Sequence, residues 1–427
     1  MTSRSNRVRS MNQQGWFVAL LFLIGNFACA EDKPLTLGAA LRESLAANPM
    51  LKAEFHRVQA ANLIGIQRGA LPDPKLSYTE FLSSVETRTG PQERIVSLSQ
   101  MTPWPGKLKL AREIADSKAR QAFRKYEATR LSTIEETGSL YFEYAYLAVA
   151  EKIAKENQEL LEQLKPVVKE RVRGGGNLAS SLRLDVEIAR VEDQTQTIQQ
   201  QRPAISSRFA KALGRRAGVE PIPYPVFPST APKLADIEKL LPHLENHPLV
   251  LATREGVIAA DQAVKLAAKS GQPDLSFGVN VIEIGQGGDA AVGATVGVSL
   301  PFSRKKYKAE KQEAIHLAEA ARATTEDVQL ELITRLHVAY QAWEESRKRL
   351  ELYDDKLIPS SKQAVELTAE AFRNNKSTLT DLIDTERTLL QLQLERAAAL
   401  KNAHQSSIAV RALVGDLEIE SKTSSRK

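Results

Sequence analysis

Asp381 and Asp384 stand three residues apart at the start of a helical stretch near the C-terminus. That spacing projects both carboxylates from one helix face, where they would attract cations. A plainer use is structural, because acids are favourable in the first turn of any helix, and the residues alone favour that use. His243 and His247 are four apart in Pro-His-Leu-Glu-Asn-His-Pro, a spacing that can hold a metal ion. No third ligand lies nearby, and His247-Pro248 has the form of a cap followed by a helix-starting proline. His56, His316, His337 and His404 are scattered, and four methionines are too few for a methionine-rich metal relay. Gly174-Gly-Gly176 could cradle a phosphate, but it follows a helix and no Lys-Ser/Thr pair closes it, so it is read as a turn. The Gly285–Gly288 segment is likewise a strand turn. With no H-E-x-x-H, no nucleophile–base motif and no dinucleotide fingerprint, the residues predict no enzyme, no cofactor and no resident metal.

The N-terminal 30 residues have the layout of an export signal. Arg4, Arg7 and Arg9 precede the apolar run Trp16–Ile24, and Ala28-Cys29-Ala30 offers small residues for cleavage after Ala30. The run has nine residues, whereas a bilayer-spanning helix needs about 20. Cys29 could instead be a lipid attachment site, although Asn26 and Phe27 fit that use poorly. It is the single cysteine, so disulfides and cysteine-based metal sites are excluded. The formal charge of +6 falls once the arginines of the signal are removed, a balance that does not point to nucleic acid. No second long apolar run follows, so any entry into a bilayer must be made by strands.

The elements that position the aspartates come twice. Asn48-Pro49 matches His247-Pro248, Pro72-Asp73 matches Pro273-Asp274, and Pro103 matches Pro301. Further on, Tyr141 matches Tyr340, Arg173 matches Arg373, Leu182 matches Leu382, and Leu213 matches Leu413. The offset stays between 198 (Pro103 to Pro301) and 201 (Pro72 to Pro273), too steady for chance. The chain therefore divides into a signal (1–30), a first repeat (31–215), a Pro-rich link (216–233), a second repeat (234–416) and a polar tail (417–427). Each repeat begins with a helix interrupted at its Asn-Pro or His-Pro. Two strand-like runs follow, about Leu76–Glu86 and Arg94–Met101, then about Leu275–Val281 and Val292–Leu300. The second pair alternates cleanly between aliphatic and small or polar residues, as expected of strands with lipid on one side and water on the other. The first pair alternates less cleanly and is inferred mainly from the repeat. Long helices then span about Pro105–Arg173 and Ser303–Arg373, a reach of about 100 Å each, with kinks expected at Pro166 and Pro359. Turns at Gly174–Asn177 and Asn374–Ser377 lead into return helices. Four strands fall short of the roughly eight in the smallest membrane barrels, so a closed homo-oligomer is expected.

This pattern resembles the TolC family of outer-membrane efflux proteins over nearly the whole mature chain. The twofold repeat carries the likeness, together with Leu98-Ser-Gln-Met-Thr-Pro-Trp-Pro-Gly-Lys107, which looks like the heavy-metal (CzcC/CusC-like) branch. The third part is the pair of tip motifs, Arg171–Leu182 and Phe372–Asp384. The resemblance implies a mostly helical chain with membrane strands, assembled as a homotrimer whose twelve-stranded barrel sits in outer-membrane lipid and continues as a periplasmic helical barrel. It implies a passive exit duct for a periplasmic adaptor and an inner-membrane RND pump. The adaptor would meet tips formed by Arg173, Gly174, Gly175, Gly176, Asn177, Asn374, Asn375, Lys376 and Ser377. Asp381 and Asp384 would ring a pore constriction, a pair that Ser181 and Leu184 do not repeat in the first half. Ser377 stands where the best-known members hold a basic latch residue, with Lys376 beside it. Heavy-metal cations are the expected cargo. Organic compounds through the same channel are the alternative, ahead of a periplasmic adaptor, which would have one hairpin rather than two.

Overall fold

The computed structural model describes residues 35–415 apart from 89, 176, 220 and 286–287. The export segment, the processing site around Cys29, Gly176 and the polar tail lie outside the described residues.

Both repeats start as the capping residues dictate. In the first, α1 (Leu37–Ala47) ends at Asn48, whose side chain accepts from Met50 N at 2.8 Å and starts α2 (Pro49–Gly69) with Pro49 in the first turn. In the second, the short α5 (Ile237–Leu240) runs into a 3-10 turn over Leu241–Asn246. His247 then caps α6 (Pro248–Ala268), its Nδ1 accepting from Leu249 N at 3.2 Å. The histidine does here what Asn48 does in the other half.

The strands β1 (Lys75–Thr87), β2 (Gly90–Thr102), β3 (Leu275–Ile284) and β4 (Ala291–Val298) form one antiparallel sheet in the order β1-β2-β3-β4. Each repeat's pair is a hairpin, and β2 joins β3 across the repeats. The weak alternation of β1 has a structural cause. Between the pairs Glu80↔Arg94 and Val85↔Gln92, residues 81–84 oppose the single residue Glu93, so the strand bulges and the inside-outside parity is interrupted. Among the described residues no helix is long and apolar enough to cross a membrane.

Trp104 to Lys107 turns the sheet into the first long helix. Gly106 lies in the left-handed region at φ +90, and the Asp274 carboxylate accepts from Trp104 N and from Lys107 Nζ, both at 2.8 Å. From there α3 (Lys107–Arg173) runs for 67 residues, about 100 Å, and continues as helix through Pro166. The return helix is α4 (Leu178–Ala212). In the second repeat α7 (Arg304–Leu352) passes through a π turn at Tyr353–Leu357 into α8 (Ile358–Arg373), and α9 (Leu379–Val414) returns. Pro359, expected to kink the helix, instead follows this π turn. The wider i→i+5 turn accommodates the proline's missing N–H and its ring within an otherwise continuous helix.

The waist of the molecule holds its aromatic core. Tyr141, Phe142, Tyr144 and Phe209 pack with Leu147, Leu213 and Ile222, and the Pro-rich link is strapped across them. Tyr144 donates to Ile222 O at 2.8 Å, Tyr141 to Val226 O at 2.9 Å, and Trp343 to Pro232 O at 3.0 Å. Burial pushes the Tyr141 hydroxyl up to about 12, so it stays a donor to the strap.

Candidate functional site: the hairpin tips and their carboxylate face

Both hairpins turn in the same way. The α3–α4 turn places Gly175 at φ +95, and the α8–α9 turn places Asn375, its equivalent at an offset of 200, at φ +59. Glycine has no Cβ to clash there and asparagine is among the few side chains that tolerate the region. Gly174 N and Asn374 N bond back to Glu170 O and Glu370 O at 3.0 and 3.1 Å, so the two helices end on matching carbonyls. Asn177 then caps α4 by accepting from Ala179 N at 2.8 Å, and Thr378 caps α9. Arg173, Gly174, Asn177, Asn374, Asn375 and Lys376 are exposed at these turns.

The start of α9 separates two faces. Leu379, Leu382, Ile383 and Leu390 turn into an apolar core with Leu161, Val168, Leu184, Ile188 and Phe372, which fastens the two hairpins together. Asp381 and Asp384 face the other way and are exposed. Asp381 completes a capping box, its Oδ2 accepting from Thr378 N at 2.9 Å, Thr378 Oγ1 at 2.7 Å and Ser377 Oγ at 3.1 Å. The Thr378 backbone bond, with the two hydroxyls, holds its carboxyl below the usual range, so it is anionic at neutral pH. Ser377 thus serves the cap. The first-turn use of an acid is realised at Asp381, while the carboxylate stays at the surface.

Asp384 leads into ties that the sequence reading missed. Its Oδ1 lies 3.4 Å from Arg387 Nη1, and Arg387 grips Glu187 of α4 through two bonds of 3.0 and 2.6 Å. The Glu187 side chain is only 7% exposed, so this pair crosses from one repeat to the other in a shielded place. Two more links run beside it. Arg183 donates to Thr380 Oγ1 at 2.6 Å, and Arg171 reaches the Phe372 carbonyl with its guanidinium 3.9 Å from the Phe372 ring centre. For the ion pair alone a signal existed, because Glu187 and Arg387 are equivalent positions at an offset of 200 with opposite charge. Glu135 and Arg335, 3.4 Å apart, make a second ion pair between the repeats without being equivalent positions. Of these four side chains Glu187 and Arg387 neutralise each other, which leaves the charges of Asp381 and Asp384 on the exposed face.

Among the described residues no group of three His, Cys, Asp or Glu side chains comes together as a metal site. His247 is 6% exposed and occupied as a cap; burial, with Arg335 adding to it, brings its pKa down to about 4. His404 stacks on Phe142 at 4.5 Å and meets Thr230 O at 2.9 Å, a packing role.

Residues 242–416 match the model of a family described as outer membrane efflux protein. The cobalt-zinc-cadmium resistance protein CzcC of Cupriavidus metallidurans is 23% identical to this chain over 93% of it and 98% of its own length. Among solved structures, the outer membrane protein VceC of Vibrio cholerae superposes with a TM-score of 0.75 at 18% identity, covering 89% of this chain and 96% of that one. CusC, solved in a study of transmembrane channel formation, gives 0.76 at 14% identity over 88% and 91%. The fold is therefore that of the TolC-like channels, and residues 242–416, most of the second repeat, carry the likeness to the outer membrane efflux protein family.

Proposed function

We propose that three copies of this chain form an exit duct for heavy-metal cations, with Asp381 and Asp384 lining its periplasmic constriction. The observation that carries the reading is the exposed carboxylate face at the start of α9, at the far end of a hairpin about 100 Å long and backed by a rigid apolar core. Three copies bring six such carboxylates toward one axis, where their field favours cations and their mutual repulsion keeps the ring ready to part. The 23% identity with CzcC along nearly the whole length supports metal ions as cargo. In this reading the turns at Arg173–Asn177 and Asn374–Ser377 are the surfaces that a periplasmic adaptor meets, with an inner-membrane RND pump behind it and the sheet in outer-membrane lipid. The chain performs no chemistry on its cargo; it binds weakly and conducts.

The test uses planar bilayers. Asp381→Ala with Asp384→Ala is expected to raise single-channel conductance and reduce cation preference, read from the reversal potential in a salt gradient. Because Asp381 also caps α9, Asp381→Asn with Asp384→Asn is measured beside it as the milder change. Unchanged conductance and reversal potential in both variants would overturn the constriction.

A further inference from the structure

Between the Pro-rich link and α9 lies an open cleft of about 350 Å³. Leu37 of α1, Phe142 of α3, Val226 and Pro232 of the link, and Ile408 and Arg411 of α9 line it, so its floor is mostly apolar and a cation stands at its edge. Water gains little from such a floor, and an aliphatic side chain placed on it is favoured. Arg411 donates to the Lys233 carbonyl at 3.4 Å, and among the described residues no carboxylate pairs with it. The exposed Lys233 adds a second positive charge beside Pro232.

The chain itself supplies what would cover the cleft. α9 ends at Gly415, which takes the left-handed region at φ +72 and returns its N–H to Ala412 O at 3.3 Å. Such a cap turns the chain off the helix axis, so a course back along α9 is open to the residues that follow. They are Asp416-Leu-Glu-Ile-Glu420, which in extended chain set Leu417 and Ile419 on one side and three acids on the other. No other apolar side chain occurs between Asp416 and Lys427. We propose that this segment folds back into the cleft of its own chain, with Leu417 and Ile419 against Phe142, Val226 and Ile408, and Glu418 at the rim beside Arg411.

Reach, charge and composition agree. Arg411 and Ile408 lie about 6 and 10 Å back along the helix from Gly415. In extended chain Leu417 and Ile419 are about 7 and 13 Å from Gly415, so the first comes level with Arg411 and the second passes Ile408. Asp416, Glu418 and Glu420 bring negative charge to an edge that holds Arg411 and Lys233. The sequence before Leu35, Glu31-Asp-Lys-Pro34, has acids but no aliphatic side chain to offer the floor. Seated in this way, the segment clamps the Pro-rich link over Tyr141 and Phe142 and fastens the last helix of the second repeat to the core of the first.

Cysteine labelling of the detergent-solubilised full chain tests the docking, with the unsubstituted chain giving the background from Cys29. Leu417→Cys and Ile419→Cys are expected to react with a bulky maleimide about ten-fold more slowly than Ser424→Cys. Arg411→Glu should remove most of that protection, and Arg411→Glu with Glu418→Arg should restore it, a rescue that a merely destabilised fold would not show. Oxidised in pairs with Val226→Cys, at least one of the two tail cysteines should form a reducible link within one chain mass. Equal labelling at all three tail positions would overturn the docking, as would protection with no link to Val226→Cys. A link of two chain masses would give the cleft to the tail of another copy. Val226→Cys that stays protected in Leu417→Asp/Ile419→Asp would give it to some other molecule, and either result overturns the proposal.

Discussion

His247 offers a perturbation whose size and sign follow from its surroundings. Its ring is buried at the start of α6 with Nδ1 committed to Leu249 N, and its pKa of about 4 compares with 6.5 for an unhindered imidazole. The unfolded chain thus takes up the proton first as pH falls. Stability from this group is complete above pH 6.5 and is lost as pH drops toward 4. Between pH 7.5 and pH 5 the loss is about 2 kcal/mol, approaching about 3 kcal/mol below pH 4. For a chain of this length that is about 2 °C in melting temperature at pH 5. His247→Asn places in the second repeat the cap used by Asn48 in the first, so it keeps the hydrogen bond and removes the titration. The assay is tryptophan-fluorescence melting in detergent at pH 5 and pH 7.5 for both proteins. The difference between the two pH values should shrink by about 2 °C in His247→Asn. An equal pH response in the two proteins would refute the argument. Loss of a zinc-induced rise in melting temperature on substitution would show a metal ligand instead of a cap.

Arg387→Ala strands the shielded Glu187 carboxylate and should destabilise the joined tips by about 3 kcal/mol, whereas Glu187→Ala leaves a half-exposed arginine and should cost about 1 kcal/mol. Hydrogen exchange across the first turns of α9 ranks the two, and the reverse order would sink the shielded-pair account. A Cβ added at Gly175 meets no atom within 4 Å, so the cost of Gly175→Ala, about 1 kcal/mol, is backbone strain alone. Asn375→Gly, which relieves the same conformation in the other turn, should be neutral or stabilising in the same melting experiment. Thr378→Ala removes one side of the capping box and should cost about 1 kcal/mol, seen as faster exchange at the start of α9.

Much of the architecture was legible because it is written twice. Asn48-Pro49 and His247-Pro248 marked helix starts, the aliphatic alternation of 275–281 and 292–300 marked strands, and both tip turns fell where glycine and asparagine were found. The bulge at 81–84 hid the same alternation in the first hairpin, since three extra residues on one strand break a period of two. The aspartate pair could be placed on one exposed face from spacing alone, but its hydrogen bonds could not. Whether Asp381 spends its oxygens on Thr378 or leaves them to solvent depends on the geometry of a single turn. The ties from Arg171, Arg183 and Arg387 link residues about 200 apart, and a helical period within one element says nothing of them.

The π turn at Tyr353–Leu357 also reconciles two repeats of unequal length. Tyr141 and Tyr340 match at an offset of 199, whereas Arg173 and Arg373 match at 200, so the second repeat is one residue longer than the first between them. The interval contains the wide turn, the one conformation that takes an additional residue into a helix without breaking it. An inserted residue left in regular helix would have rotated everything beyond it by about 100° and turned the tip core toward solvent. Absorbed as a π turn, the additional residue leaves Phe372 and Leu382 in the tip core, and deletion of one residue there should restore an unbroken helix with the tips still in phase.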